Sequence, residues 1–386
     1  MGDKLPILLF EGDVSLCYGI LKSFSEQLRD AFLELGEEVI YLNPADAAIE
    51  DYSGRSYKAI IAFMENIFYS AYPDSKELIF DSFYGPKFNY WTDYPAFYHR
   101  HVKRIPQNYY ILTQDRNYVK FIDHYYRGVK AFFLPPGGRK AETIIPFQKR
   151  KYALSFVGSF LDWREPISSF NSADETTKVI IDRYLDLLVT EPDLTTEVAF
   201  EKTLTSLGAK VSDEQFVQEL AKVHKLADRG AARIYREEII KTLIDNGITV
   251  DVFGDSWRNS PFVDNSYLRI HPSLEASGVD EIYDNSKMSL NVMTWHKDAI
   301  TERVLDTMMA GCIAVSDQTP ALREAFIDGE DLILYSLKEI ERLPEIILKH
   351  SNNEKIAHNG MVKATERHSW RNRAIELLKI IDEMSC

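Results

Sequence analysis

The residues best suited to chemistry lie between Trp295 and Asp306. Trp295, His296, Lys297 and Asp298 form a polar run that follows the short apolar stretch Ser289–Met293. Thr301 is a suitable cap for a helix carrying Val304, Leu305, Met308 and Met309 at helical spacing. A helix start offers unpaired N–H groups and the positive end of its dipole, which suits a diphosphate. Lys297 or Arg303 can add charge there. Asp298 and Asp306 stand eight positions apart, a span of roughly 12 Å along a helix at ~1.5 Å per residue. Two carboxylates so placed can grip different parts of one long ligand. On spacing alone a second reading stands beside this one: Asp298 as a loop cap and Asp306 as a solvated helix residue.

These residues need a frame. Ser289–Met293 reads as a strand, the helix ends at Ala310-Gly311, and Cys312–Ser316 reads as a second strand. Asp317-Gln318-Thr319-Pro320 then opens another helix with proline in its first turn. Strands alternating with helices build a parallel sheet, and ligands of such sheets sit at the carboxyl ends of the strands.

The segment is similar to the donor-site motif of GT-B glycosyltransferases of the family 4 type. There an acidic residue, seven residues and a second acidic residue precede a small-Met-small-x-Gly run. The match is Asp298, Asp306 and Thr307-Met308-Met309-Ala310-Gly311. It most resembles the CgeB-like, spore-maturation-protein group, through His296-Lys297-Asp298, Glu302-Arg303 and Ser316-Asp317…Pro320-Ala321-Leu322-Arg323-Glu324. The second acid, usually Glu, is Asp306, one methylene shorter. The resemblance implies that Asp298 holds sugar hydroxyls, Asp306 the ribose, and the Thr301 helix start with Lys297 and Arg303 the diphosphate.

Bulk properties set bounds. A chain of 386 residues suggests two domains. Hydrophobic content of 45% and aromatic content of 12% suit packed cores rather than disorder. A formal net charge of −14 without a basic patch argues against nucleic acid as a partner. No apolar run approaches the ~20 residues of a membrane-spanning helix, and no leader is visible. Cys17, Cys312 and Cys386 show no metal spacing, so a reduced, cytoplasmic protein is expected.

Leu5–Phe10, a helix over Ile20–Leu35 and Val39–Leu42 read as a βαβ start without a G-x-G-x-x-G. Glu11-Gly12-Asp13, at the first strand end, is read either as an acceptor contact or as ordinary turn chemistry. Further strands are expected at Tyr57–Phe63, Leu78–Phe80, Phe88–Trp91, Tyr109–Thr113 and Lys130–Leu134. After Trp91 come Asp93, Tyr94, Phe97, Tyr98 and His99. Aromatics at loop tips suit sugar faces, and Asp93 or His99 could serve as a general base or acceptor holder. The alternative is an aromatic core, a turn aspartate and a surface histidine. The run through Trp91, Asp115-Arg116-Asn117 and Phe132–Gly138 is similar to the N-terminal domain of CgeB-like transferases.

Gly137–Arg150 reads as a linker whose Arg139, Lys140, Lys149 and Arg150, with Lys151 after them, are solvated. Tyr152–Val157 starts a new domain and ends in Gly158-Ser159, a small turn where backbone can approach a phosphate. Arg164 is a possible phosphate partner. Residues 166–230 read as a helical insertion of no evident chemistry, followed by a separate helix over Arg233–Asn246. Thr249–Phe253 leads to Gly254-Asp255-Ser256-Trp257. By the resemblance this strand end lines the nucleotide pocket, with Asp255 beside it and Trp257 against the base; a buried structural Trp257 is the competing reading.

The expected whole is an α/β, GT-B arrangement of two Rossmann-like domains facing a cleft. Residues 1–145 form an acceptor domain, and 150–370 a nucleotide-sugar donor domain with the insertion at about 166–230. A terminal helix, 371–386, returns to the first domain. The expected activity is transfer of a hexose-type sugar from a nucleotide-diphosphate sugar to a hydroxyl of a glycan, protein or small molecule. By analogy with family 4 it would retain configuration. Charge on the leaving diphosphate would be met by the protein, so no metal and no other cofactor is expected. The alternatives are a non-catalytic sugar-nucleotide-binding protein and a sugar-nucleotide epimerase of the same fold.

Overall fold

The structure is a computed structural model, and it describes residues 4–45, 48–64, 66–73, 75–141, 143–165 and 173–384. The chain divides into two compact units, Met1–Arg139 with Arg367–Cys386, and Lys140–Glu366. Each is built on a six-stranded sheet whose pairs are all parallel.

In the first unit the strands are β1 (Ile7–Phe10), β2 (Val39–Leu42), β3 (Ala59–Phe63), β4 (Lys87–Trp91), β5 (Tyr109–Thr113) and β6 (Lys130–Phe133), ordered β2-β1-β3-β4-β5-β6. β1, β3 and β4 are buried throughout, as strands covered on both faces must be. Two helices cover them early in the chain, α1 (Ile20–Glu34) and α2 (Arg116–Tyr125). α1 turns Leu21, Phe24, Leu28 and Phe32 inward at helical spacing. Leu78–Phe80, expected as a strand, is instead part of a 3-10 turn, Ile79–Ser82. Leu78 and Phe80 are buried, but Leu78 makes only an isolated bridge to Ala71.

The second unit orders its strands β12-β11-β10-β7-β8-β9. They are β7 (Tyr152–Val157), β8 (Val250–Phe253), β9 (Leu268–His271), β10 (Ser286–Asn291), β11 (Ile313–Asp317) and β12 (Ile333–Tyr335). Between β7 and β8 lie three helices, α3 (Glu175–Thr190), α4 (Thr196–Ser206) and α5 (Asp213–Asp245). The expected insertion begins at 166–172, outside the described residues. α5 runs unbroken through Gly230, where a separate second helix was expected. A side chain at Gly230 would meet Leu185 of α3 at 3.1 Å, so the glycine permits close helix packing rather than ending the helix. α6 (Ala276–Asp284), α7 (Glu302–Met309), α8 (Pro320–Ala325), α9 (Leu343–His350) and α10 (Glu354–Arg367) complete this unit.

The last helix, α11 (Trp370–Met384), belongs to the first unit. Trp370 packs its ring 5.1 Å from Phe24 and 6.4 Å from Phe63. Arg373 donates to the Pro136 carbonyl at 3.2 Å, and the Gly138 N–H to the His368 carbonyl at 2.8 Å. Gly137 has no room for a Cβ, which would lie 2.4 Å from the Trp370 nitrogen.

Arg150 was expected in solvent and is buried. Its guanidinium donates to the carbonyls of Ile145 (3.1 Å), Tyr283 (3.2 Å), Ser286 (2.8 Å) and Ala310 (2.6 Å). The last three of those oxygens end α6 and α7 and begin β10, so one planar five-donor cation satisfies several chain ends together.

Candidate functional site

The second unit gathers its polar groups at the carboxyl ends of β7, β8, β10 and β11, where parallel sheets bind ligands. β7 ends in Val157, Gly158 and Ser159. Gly254, at the end of β8, approaches so closely that a Cβ would stand 2.6 Å from the Gly158 oxygen. Trp257 seals this contact, its indole N–H donating to the Gly158 carbonyl at 2.7 Å. Its ring is fully buried against Phe156, Phe160 and Phe262. Trp257 therefore presents no free face for a base. Asp255 is exposed; its carboxylate accepts from the Ser273 N–H at 2.9 Å, which lowers its pKa.

The loop from Met293 to Ala299 carries His296, Lys297 and Asp298. His296 and Asp298 are buried. Burial, then the Lys297 charge, pushes His296 down to about 3, so the ring is neutral at physiological pH. The Lys297 ammonium donates to the Pro192 carbonyl at 2.6 Å. Pro192 lies in the joint between α3 and α4, so the insertion reaches the site. A pocket of about 220 Å³ opens here, lined by Pro192, Asp193, His296, Lys297, Asp317 and Arg323 among others. Nothing in the sequence between α3 and α4 announced that role.

Thr301 occupies the N-cap position of α7, but its hydroxyl bonds no helix N–H and is buried without a hydrogen-bond partner among the described residues. The expected side-chain cap is thus not made. Glu302 follows in the first turn of α7; burial raises its pKa and the Arg303 charge opposes that. Arg303 donates to the Val157 carbonyl at 2.5 Å, bringing the first turn of α7 to the end of β7. Asp306 is half-buried on α7, its charge felt at Tyr283 of α6.

Arg164 has its guanidinium committed. Glu237 of α5 takes it in a two-point pair at 2.5 and 3.1 Å, and Asp162 accepts at 2.8 Å. Beside Glu237, Arg236 behaves differently. It is half-buried, and its guanidinium makes no hydrogen bond or ion pair with any described residue. Burial and the neighbouring Arg303 charge lower its pKa to about 10; Asp317 opposes them. Sequence reading passed over Arg236, since one arginine within a long helix carries no local signal.

Asp317, the last residue of β11, is buried. Burial raises its carboxyl to about 6 against hydrogen bonding from Met293 and the charges of Lys297 and Arg236. Its motif, Ser316-Asp317, was visible in the sequence, but its contact with the loop was not.

Asp93 and His99 belong to the first unit. Asp93 follows β4, half-buried. His99 is buried with its ring 5.9 Å from Tyr126. The neighbouring aromatics are core: Trp91 stacks on Tyr98 at 4.2 Å and Tyr94 meets Tyr118 edge-on at 5.1 Å. Of the aromatics from Trp91 to Tyr98, only Phe97 is exposed, so a set of stacking rings at loop tips is not formed.

Residues 229–379 match the family described as Glycosyl transferase-like. No curated protein sequence matches the chain. Among solved structures, the DNA-modifying enzyme beta-glucosyltransferase is similar at 10% identity and TM-score 0.51, over 97% of this chain and 99% of that one. T4 phage BGT in complex with its UDP-glucose substrate gives 10% and 0.50 over 99% of each chain. An alpha-glucosyltransferase in complex with UDP and a 13-mer DNA gives 11% and 0.53 over 98% of this chain and 100% of that one. At such identities the likeness is one of fold: the chain shares the two-domain α/β fold of the GT-B glycosyltransferases.

Proposed function

We propose that the protein is a glycosyltransferase that takes a hexose-type sugar from a nucleotide-diphosphate donor bound in the second unit. The observation that carries this reading is the nearness of two guanidiniums, Arg303 at the carboxyl end of β7 and Arg236 on α5. Arg303 is anchored there by the Val157 carbonyl, and Arg236 lies within its field; no described carboxylate hydrogen-bonds or ion-pairs with Arg236, though the charge of Asp317 acts on it. Two guanidiniums placed together repel, and an anion that joins them offsets that cost. A diphosphate suits them in charge, and charge-assisted bonds to it are strong. The Glycosyl transferase-like match over 229–379 spans Arg236, Arg303 and the whole Asp298 loop.

As a transfer begins, negative charge grows on the leaving diphosphate. Arg236 and Arg303 stabilise that charge in place, so no divalent ion is required. Asp298 holds sugar hydroxyls and Asp306 the ribose. The acceptor is a hydroxyl of a glycan, protein or small molecule, with Asp93 or His99 of the first unit as its base or holder. Configuration at the sugar carbon is retained. The net charge of −14 disfavours nucleic acid as acceptor.

The test is a binding titration of wild type and Arg236→Met with UDP, GDP, ADP, dTDP and CDP and their sugars. UDP comes first, because the similar phage enzyme was solved with UDP-glucose. One nucleotide that binds the wild type and binds the variant far more weakly supports the reading; no binding of any nucleotide overturns it. Turnover abolished by chelator and restored by magnesium would remove the metal-independent part. The product anomer, read by NMR, decides retention. Binding without turnover of any kind would favour the non-catalytic alternative.

A further inference from the structure

We infer that Asp317 and Thr319 are positioning residues that clamp both ends of the Met293–Ala299 loop, and with it Asp298. The inference rests on the donor site proposed above.

Asp317 ends β11 and accepts a hydrogen bond from the Met293 N–H at 2.9 Å, where the chain leaves the β10 side of the sheet. Two residues later the Thr319 hydroxyl donates to the Ala299 carbonyl at 2.7 Å. The same oxygen accepts from the Leu322 N–H at 3.1 Å, so it also caps α8. One turn therefore holds the entry and the exit of the loop. All partners are buried or nearly so, where each bond is shielded from competing water.

The turn is itself fixed. The Gln318 N–H donates to the Tyr335 carbonyl at 3.0 Å, and the Tyr335 hydroxyl to the Asn291 carbonyl at 2.7 Å. The Asn291 amide donates to Ser316 at 2.9 Å. β10, β11 and β12 are thus cross-tied just below the loop. Loop and turn meet across a cavity of about 10 Å³ lined by Asn291, His296, Thr301, Asp317 and Thr319. Loop backbone without such ties is mobile, and a misplacement of about 1 Å in a reacting geometry can cost on the order of a hundredfold in rate.

Amide hydrogen exchange on the full chain tests the clamp without any ligand. Thr319→Val and Asp317→Ala are expected to speed exchange of the amides from Met293 to Ala299 at least tenfold, with β10 and β11 unchanged. Thr319→Ser and Asp317→Asn keep an acceptor or donor and are expected to stay near wild type. Because Thr319→Val also uncaps α8, Asp317→Ala, which leaves α8 alone, is the deciding variant. Unchanged loop exchange in Asp317→Ala overturns the inference, and so does faster exchange spread over β10 and β11. On an active donor, Asp317→Ala is expected to lower kcat at least tenfold with nucleotide Kd within about twofold. A wild type that binds no nucleotide sinks the proposed donor site and leaves the exchange result to decide the clamp.

Discussion

The Arg303 guanidinium donates to the Val157 carbonyl at 2.5 Å, joining the first turn of α7 to the last residue of β7. Arg303 stands out in the sequence, but its partner, 146 positions away, does not. The bond fixes one cation at the sheet end, and the field of that cation falls on Arg236. Burying a charge without a partner is destabilising, whereas a long apolar side chain of similar reach is tolerated. Arg236→Met is therefore expected to leave thermal stability little changed, since Asp317 loses part of its counter-charge as the buried cation goes, while weakening nucleotide-diphosphate binding about 10- to 100-fold, the loss of one or two charge-assisted bonds. Calorimetric titration beside a melting curve reads both. Equal affinity would show that Arg236 faces no phosphate.

Glu302 is the acidic residue of the first turn of α7, where an incoming phosphate would approach. Burial raises its pKa, and the Arg303 charge opposes that. An anion arriving there meets a like charge. Glu302→Gln removes that charge, so nucleotide-diphosphate affinity is expected to rise about 2- to 5-fold, the scale of one charge at a helix end. The gain is expected to shrink as ionic strength increases. Weaker binding in the variant would mean that the carboxylate helps to order the site.

Much of the fold was legible because its signals are local. β2, β5 and β7 lie where their apolar runs put them, and α1 follows from Leu21, Phe24, Leu28 and Phe32. The Asp298 loop and the α7 start were legible for the same reason. What escaped was long-range. Arg150 looks like any linker arginine until Tyr283, Ser286 and Ala310 fold back onto it. Trp257 and the rings after Trp91 could not be sorted between core and ligand, since an aromatic residue serves either and only packing decides. Arg236 became visible only once α5 had been laid beside Arg303.

His296 and acid stability are linked through burial. The ring is held neutral with its pKa pushed down to about 3, against about 6.5 in the unfolded chain. Below that unfolded value the unfolded state binds a proton that the folded state refuses. Stability supplied by this residue is full above pH ~6.5 and falls as pH drops toward 3, by up to about 1.4 kcal/mol per unit. Between pH 7 and 5 the loss amounts to about 2 kcal/mol. His296→Gln is expected to flatten that limb in urea-midpoint measurements. An unchanged slope would place the acid sensitivity in another group.

Gly137 tests the return of the last helix. Any Cβ there would lie 2.4 Å from the Trp370 nitrogen and 2.7 Å from its ring. Backbone on one side and a buried indole on the other leave neither free to yield. Gly137→Ala is expected to cost about 1–3 kcal/mol and to loosen α11, read as faster amide exchange from Trp370 onward. A harmless substitution would show that Trp370 can shift against Phe24 and Phe63.

Asp317 gives the opposite sign to His296. Its carboxyl is raised to about 6, against about 3.9 unfolded. Between those values the folded state keeps a proton that the unfolded state has lost. Stability therefore falls as pH rises through that window, and above pH ~6 the full penalty stands, up to about 3 kcal/mol after relief by nearby charges. Lys297 and Arg236 supply that relief. Asn at this position carries no charge, yet its amide oxygen can still accept from the Met293 N–H. Asp317→Asn is accordingly expected to melt higher than wild type at pH 8, with the advantage fading below pH 4. A variant that melts lower at pH 8 would mean that the two cations over-compensate burial, and that the carboxylate is held ionised as their counter-charge.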